Sequence, residues 1–331
     1  MQYLDKEQIA ANFSMEEAIA ACKEALELYS TGRADIPLRT NIDVPENNGQ
    51  ALFMPGYVSG STPALGIKIV SVFPDNIKAN LPSVPATMLT MDAKTGIVNA
   101  VLDGTFLTQL RTGAVQGAAT DLLARKDAKI GLLIGTGGQG FQQLRAMLTV
   151  RNFEKMYIFD IDQARAQAFA KEVATSLAAF GVEFEAVADV NAVVAECDVI
   201  TTVTTAKVPT FDGSLVKPGC HINGVGAYTL EMHELPETAL AKAAKIFTDT
   251  DDGVLAEAGD VVGALEKGTI TKEDLSGELG QLVSHPELGR QSAKDITVFK
   301  TVGTSALDVV VADKIVRKIQ GWIKISKYKG R

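Results

Sequence analysis

Three glycines, one aspartate and three basic side chains are the residues whose types and spacing can do chemistry. Gly135, Gly137 and Gly140 stand in G-x-G-x-x-G spacing within Lys-Ile-Gly-Leu-Leu-Ile-Gly-Thr-Gly-Gly-Gln-Gly, residues 129–140. In such a turn the first glycine permits a tight bend and the second lets a pyrophosphate approach the backbone. The third lets a helix pack on the preceding strand. The helix predicted from Phe141 to Val150 would aim its positive N-terminal end at the phosphates. A second apolar segment, Met156-Tyr157-Ile158-Phe159, ends in Asp160 about 20 residues further on. An acid there accepts hydrogen bonds from ribose hydroxyls and repels a 2′-phosphate. The context predicts a dinucleotide site built from Gly135, Thr136, Gly137, Gly138, Gln139, Gly140 and Asp160. It favours NAD(H) over NADP(H). Asp162 reads as a solvated loop acid.

Lys68 lies in Leu65-Gly66-Ile67-Lys68-Ile69-Val70, an otherwise apolar strand. Burying a lysine there is costly without a partner or a function. Strand alternation puts it on the face opposite Ile67 and Ile69, so a route to solvent stands beside a functional role. Arg111 sits in the helical stretch Gln109–Ala114, and Arg39 in the loop Pro37-Leu38-Arg39-Thr40. Each offers a bidentate fork for a carboxylate, although a single surface arginine is more often structural. Cys22, Cys197 and Cys220 are far apart, and His221, His233 and His285 form no H-x-x-x-H pattern. No metal site is predicted.

The elements that must position these residues fall into two textures. Residues 15–32 have helical spacing and stop at Gly32. From 36 to 105, apolar segments at 51–54, 64–73, 86–91 and 97–102 alternate with Pro and Gly turns, as in a mainly antiparallel sheet. A helix over Thr105–Leu123 leads into a βαβ rhythm. Strands are expected at 129–134, 156–160, 183–187, 198–203, 220–224 and 245–248. The segment from Asp251 to Arg290 reads as irregular. A last helix, Ser305 to Ile325, is expected to pack back on the first domain. The fold class is therefore α/β, with a Rossmann-type domain over 119–302. A discontinuous α+β domain, carrying the three basic residues, is expected over 1–118 and 303–331. Thr202, Val203 and Thr204, at a strand's carboxyl end, are expected beside the nicotinamide, and Thr112 is expected to reach the phosphates.

The chain has 331 residues, of which 46% are hydrophobic and 22% charged, and carries a net charge of -8. These values fit a globular protein of two domains and argue against nucleic acid as a partner. No apolar run reaches the roughly 18 residues of a membrane span. The first residues lack the layout of a signal peptide, so a cytoplasmic location is expected.

Taken together, several blocks resemble the ornithine cyclodeaminase/mu-crystallin family. They are Phe53-Met54-Pro55-Gly56, Gly66-Ile67-Lys68, Phe73-Pro74-Asp75-Asn76, Met91 to Gly96, and Leu110-Arg111-Thr112-Gly113-Ala114. The glycine turn with Gln143, Ile222-Asn223-Gly224-Val225-Gly226, Gly289-Arg290 and Val298 to Gly303 complete the set in the family's order. The resemblance implies a dimer whose members handle amino acids and their imines with NAD(P)(H). It maps the carboxylate-binding and catalytic residues onto Arg39, Lys68 and Arg111, and adds Val225 and Gly226 to the cofactor site. Cyclodeaminases carry a catalytic aspartate where this chain has Tyr228, and a glutamate where it has Leu52. Tyrosine, with a pKa of about 10, is no carboxylate base at neutral pH; it either donates a proton or shapes the pocket. Both departures point to NADH-dependent reduction of a cyclic or acyclic α-imino acid, of the Δ1-pyrroline-2-carboxylate or ketimine reductase type. Ornithine cyclodeamination, reductive amination of the alanine dehydrogenase type, and a ligand-binding role as in mu-crystallin are the alternatives.

Overall fold

In the computed structural model, which describes residues 1–79 and 81–321, the chain divides into two compact units. One comprises Met1–Arg111 with the segment from Thr304 onward, and the other Thr112–Gly303.

The first unit opens with β1 (Gln2–Leu4), α1 (Lys6–Asn12) and α2 (Met15–Ser30). Both helices begin in capping boxes, Asp5 with Gln8 and Ser14 with Glu17, which satisfy otherwise orphaned amides. Strands β2 (Ala34–Asp35), β3 (Thr40–Val44), β4 (Gly49–Val58), β5 (Ala64–Val72), β6 (Ala86–Met91) and β7 (Val98–Asp103) follow. They form a sheet ordered β1-β7-β6-β5-β4-β2, with β3 also on β4. Every pairing is antiparallel except β1 with β7. Three of these strands had no sequence signal, β2 being only two residues long. β1 is only three residues long, and β3 is mostly exposed and held by its ladder with β4 rather than by an apolar face. Helix α3 (Gly104–Leu123) then runs without interruption past Arg111 into the second unit.

That unit contains β8 (Ile130–Ile134), α4 (Gly140–Val150), β9 (Lys155–Phe159), α5 (Gln163–Ser176), β10 (Glu183–Ala186), β11 (Val199–Thr202) and β12 (His221–Gly224). It continues through α6 (Glu237–Lys242), β13 (Lys245–Thr248), α7 (Asp251–Glu257), α8 (Gly259–Glu266), β14 (Leu275–Glu278), α9 (Leu279–Ser284) and β15 (Thr297–Lys300). All eight strands are parallel, in the order β10-β9-β8-β11-β12-β15-β13-β14. A parallel sheet needs cover on both faces. One apolar core holds Leu144, Met147, Phe169 and Val173 of α4 and α5, and the other holds Leu240, Val254 and Val261. Strand order reverses at β8, so the ends of β8 and β11 flank the topological switch point where ligands bind.

The expectation of irregular chain from Asp251 to Arg290 is corrected: it holds three helices and a strand. Those helices span six to eight residues, too few for a 3.6-residue period to stand out. Strand β15 was also unanticipated, although it lies inside the sheet between β12 and β13. The last helix, α10 (Ser305–Ile319), belongs to the first unit and packs on α2, β4 and β5. It ends earlier than expected, at a turn in which Gly321 takes φ +78; residues 322–325 of the expected span lie outside those described. Among the described residues no helix is long and apolar enough to cross a membrane, and no group of three or more His, Cys, Asp or Glu could hold a metal ion.

Candidate active site

In the first unit, Lys68 sits at the middle of β5, in register with Met54 of β4 and Met88 of β6. Its face of the sheet is the one covered by α10, so the solvent-reaching reading is wrong: Lys68 is only 1% exposed. Its Nζ lies 2.8 Å from Oδ2 of Asp308, a fully buried acid in the first turn of α10. The other carboxylate oxygen, Oδ1, lies 2.8 Å from Nε of Arg111, itself buried near the middle of α3. Pairing is what makes three buried charges tolerable. The start of α10 is pinned over β4 by the Ser305 hydroxyl, which donates to the Pro55 carbonyl at 2.7 Å. Gly56 permits that approach, since a Cβ there would crowd Ile36 and Ser305.

One carboxylate thus faces several cations. Burial and the Arg111 charge pull the Lys68 ammonium down to about 7; Asp308 opposes this, and the half-buried Arg39 adds to it. The structure brings Lys68 and Arg111 onto one acid and sets Arg39 within electrostatic range. A guanidinium next to a lysine poised near neutrality can hold a carboxylate and supply a proton. Leu52 is packed with Met54 and Val70 in a small apolar core.

In the second unit, the turn after β8 matches the requirements of a dinucleotide. Gly135 takes φ +105, and a Cβ there would strike the Val203 carbonyl and Thr204. Gly137 and Gly138 are exposed, and a Cβ on Gly137 would meet nothing within 4 Å, so that backbone is open to a phosphate. Gly140 opens α4, whose N-cap residue Gln139 makes no side-chain cap. The Gln139 Oε1 and both amide atoms of Gln143 are buried without a hydrogen-bond partner. Thr112 is half-buried beside Gly113, where α3 comes so close to Gln142 of α4 that a Cβ would clash. Asp160 accepts from the Thr136 amide and hydroxyl and from the Asp162 amide. Burial works against its charge, but these bonds hold its carboxyl below the usual range, so it is anionic at neutral pH. The residues present therefore fit NAD(H).

The strand ends beside this turn are tied by Glu234. Fully buried, it accepts from the amides of Thr204, Gly226 and Ala227, the last two at 2.6 and 2.7 Å. Asp260 in turn accepts from the Glu234 and Leu235 amides and pairs with buried Lys300 at 2.7 Å. Gly226 is required there, because a Cβ would fall on the Thr204 backbone. Val203 and Thr204 are half-buried, Val225 is buried, and Thr202 is wholly buried with its hydroxyl on the Asn223 carbonyl. Thr202 thus supports the strand end from beneath. Tyr228 is half-buried and packs against the apolar core of this unit.

Asp308 was missed from the sequence, although an acid within Ala306-Leu307-Asp308-Val309-Val310 carries the same signal as Lys68 in its strand. Glu234 had no such signal, because its work as a triple acceptor depends on the fold of the 226–234 loop.

The family model for the ornithine cyclodeaminase/mu-crystallin family matches residues 2–321. A Δ1-pyrroline-2-carboxylate reductase of Bacillus cereus is 37% identical over 305 residues, covering 92% of each chain. The structure of the Thermococcus litoralis Δ1-pyrroline-2-carboxylate reductase, solved with NADH and L-proline, matches with a TM-score of 0.91 and 36% identity. It covers 97% of this chain and 98% of that one. An archaeal alanine dehydrogenase dimer with bound NAD matches with a TM-score of 0.86 and 31% identity, covering 98% and 97%. The chain belongs to the ornithine cyclodeaminase/mu-crystallin family.

Proposed function

We propose that this protein is an NADH-dependent reductase of a carboxylate-bearing imine, of the Δ1-pyrroline-2-carboxylate class, yielding the L-amino acid. The observation that carries the reading is the buried cluster of Lys68 and Arg111 on one acid, with Arg39 in range. Arg111 and Arg39 hold the α-carboxylate. Lys68 gives its proton to the imine nitrogen as the adjacent carbon is reduced. NADH, when bound, supplies the hydride. The imine carbon, made electrophilic as its nitrogen takes the Lys68 proton, accepts the hydride, so anchoring and one proton source suffice, without the aspartate that Tyr228 replaces. The glycine turn, Thr112, the Thr202–Thr204 strand end and Val225–Gly226 form the cofactor site, and anionic Asp160 favours NADH over NADPH. The Bacillus and Thermococcus relatives support this substrate class.

A second reading, amino-acid dehydrogenation, is favoured by the alanine dehydrogenase neighbour. Paired steady-state kinetics test the carboxylate role. Δ1-pyrroline-2-carboxylate should exceed Δ1-pyrroline, which lacks the carboxylate, by about 100-fold or more in kcat/KM, the worth of two charged hydrogen bonds. Equal values would refute the reading.

A further inference from the structure

Asp308 divides its carboxylate: Oδ2 takes Lys68 and Oδ1 takes Nε of Arg111. The second contact is made on the Nε side of a guanidinium that carries two further NH2 donor groups. The charged and titratable groups facing Lys68 come from three more places. They are Asp308 on α10, Arg111 on α3, and Arg39 in the loop before β3. Cys22 of α2 is close by, its Sγ 3.6 Å from the Arg111 carbonyl. Burial pushes that thiol up to about 12, so it stays neutral. Asp308 thus divides one negative charge between two buried cations, Lys68 and Arg111.

We propose that Asp308 is a positioning residue that leaves the charge of Lys68 incomplete in the free protein, so that the arriving substrate carboxylate itself fixes the acid proton on Lys68. The inference rests on the carboxylate reading of this cluster and concerns when the proton arrives. Half a carboxylate cannot fully offset desolvation and the neighbouring Arg111 guanidinium. A bound carboxylate adds the missing negative charge, and a proton enters from solvent. Binding therefore reads as RCOO⁻ plus H⁺ plus neutral Lys68, giving the carboxylate complex of the Lys68 ammonium. In turnover that proton passes to the imine nitrogen, and Lys68 is neutral again when the product leaves. The device keeps the acid unarmed until a carboxylate is present.

The test is calorimetric titration of the full chain with pyrrole-2-carboxylate, a planar five-membered carboxylate that accepts no hydride. Titrations in phosphate and in Tris, whose ionisation enthalpies differ, count the protons taken up. Uptake of roughly half a proton or more is expected at about pH 8, falling towards none at about pH 6, where Lys68 is already charged. Lys68→Met should still bind, more weakly, and take up none. Binding by the unaltered protein without proton uptake would overturn the inference, as would undiminished uptake by Lys68→Met. Absence of binding would instead overturn the carboxylate reading itself. Where Asp308→Asn folds, its decline of kcat/KM with rising pH should begin about one pH unit lower, and Asp308→Glu should restore it. A uniformly lower but unshifted profile would reduce Asp308 to a structural role.

Discussion

At the residue scale the chemistry turns on which side chain gives the proton. Lys68 and Tyr228 both stood as donors from the sequence. Lys68 is buried on an acid with its ammonium drawn down to about 7, which poises it to give the proton. Lys68→Ala should abolish turnover while leaving the NADH dissociation constant, read by fluorescence titration, unchanged. Tyr228→Phe should keep kcat within about threefold. A loss of about 100-fold in Tyr228→Phe, the worth of a general acid, would move the role to the tyrosine. The burial cost of Lys68 was legible because one cation interrupts a short apolar strand. Its partner was not, since Asp308 lies 240 residues further on and only tertiary packing brings α10 over β5. Arg39 and Arg111 were legible as possible forks from residue type alone, and the family resemblance is what gave them a carboxylate-binding role.

At the element scale, the long signals carried through. The βαβ rhythm from β8 to β12 and the sheet from β4 to β7 follow apolar runs that periodicity can find. β15 escaped because four residues, Thr297-Val298-Phe299-Lys300, end in a lysine whose partner Asp260 lies on a helix that was itself unseen. The centre of that sheet also holds an imidazole. His221 on β12 bonds Thr297 of β15 through Nδ1 and Asn223 through Nε2, and burial, helped by Arg290, pushes its pKa down to about 3. The unfolded chain binds this proton near 6.5 and the folded one does not. The imidazole's contribution is therefore complete above pH 6.5 and is lost as pH falls towards 3. Stability should drop by about 2 kcal/mol from this group between pH 7 and pH 5, and His221→Gln should lack that part of the slope in urea unfolding. Glu234 and Asp249, whose carboxyl groups burial raises, work in the opposite direction, so the difference between the two proteins isolates the imidazole. Equal slopes would show that His221 is protonated inside the sheet.

At the scale of the whole molecule, the two compact units and their sheet types were legible in the change of texture near residue 105, while the path of the chain through the late helices was not. The first unit also presents an apolar sheet face. Phe53 pairs with Ile69, and Ile67 with Leu89, all half-exposed on the side of the sheet away from α10. Such a face fits the homodimer expected from the family, and light scattering should give twice the chain mass of 35.1 kDa. Charged substitution of Ile67 and Ile69 together should return the mass of one chain. The proposed reaction is reduction of a preformed imine. The measurement that meets it most directly is NADH oxidation by the purified protein in three parallel reactions: Δ1-pyrroline-2-carboxylate alone, pyruvate with ammonium, and ornithine with NAD. Turnover of the cyclic imine without ammonium is the predicted result. No turnover there, with proline and ammonia formed from ornithine, would contradict it and mean that another group does the work of the aspartate Tyr228 replaces.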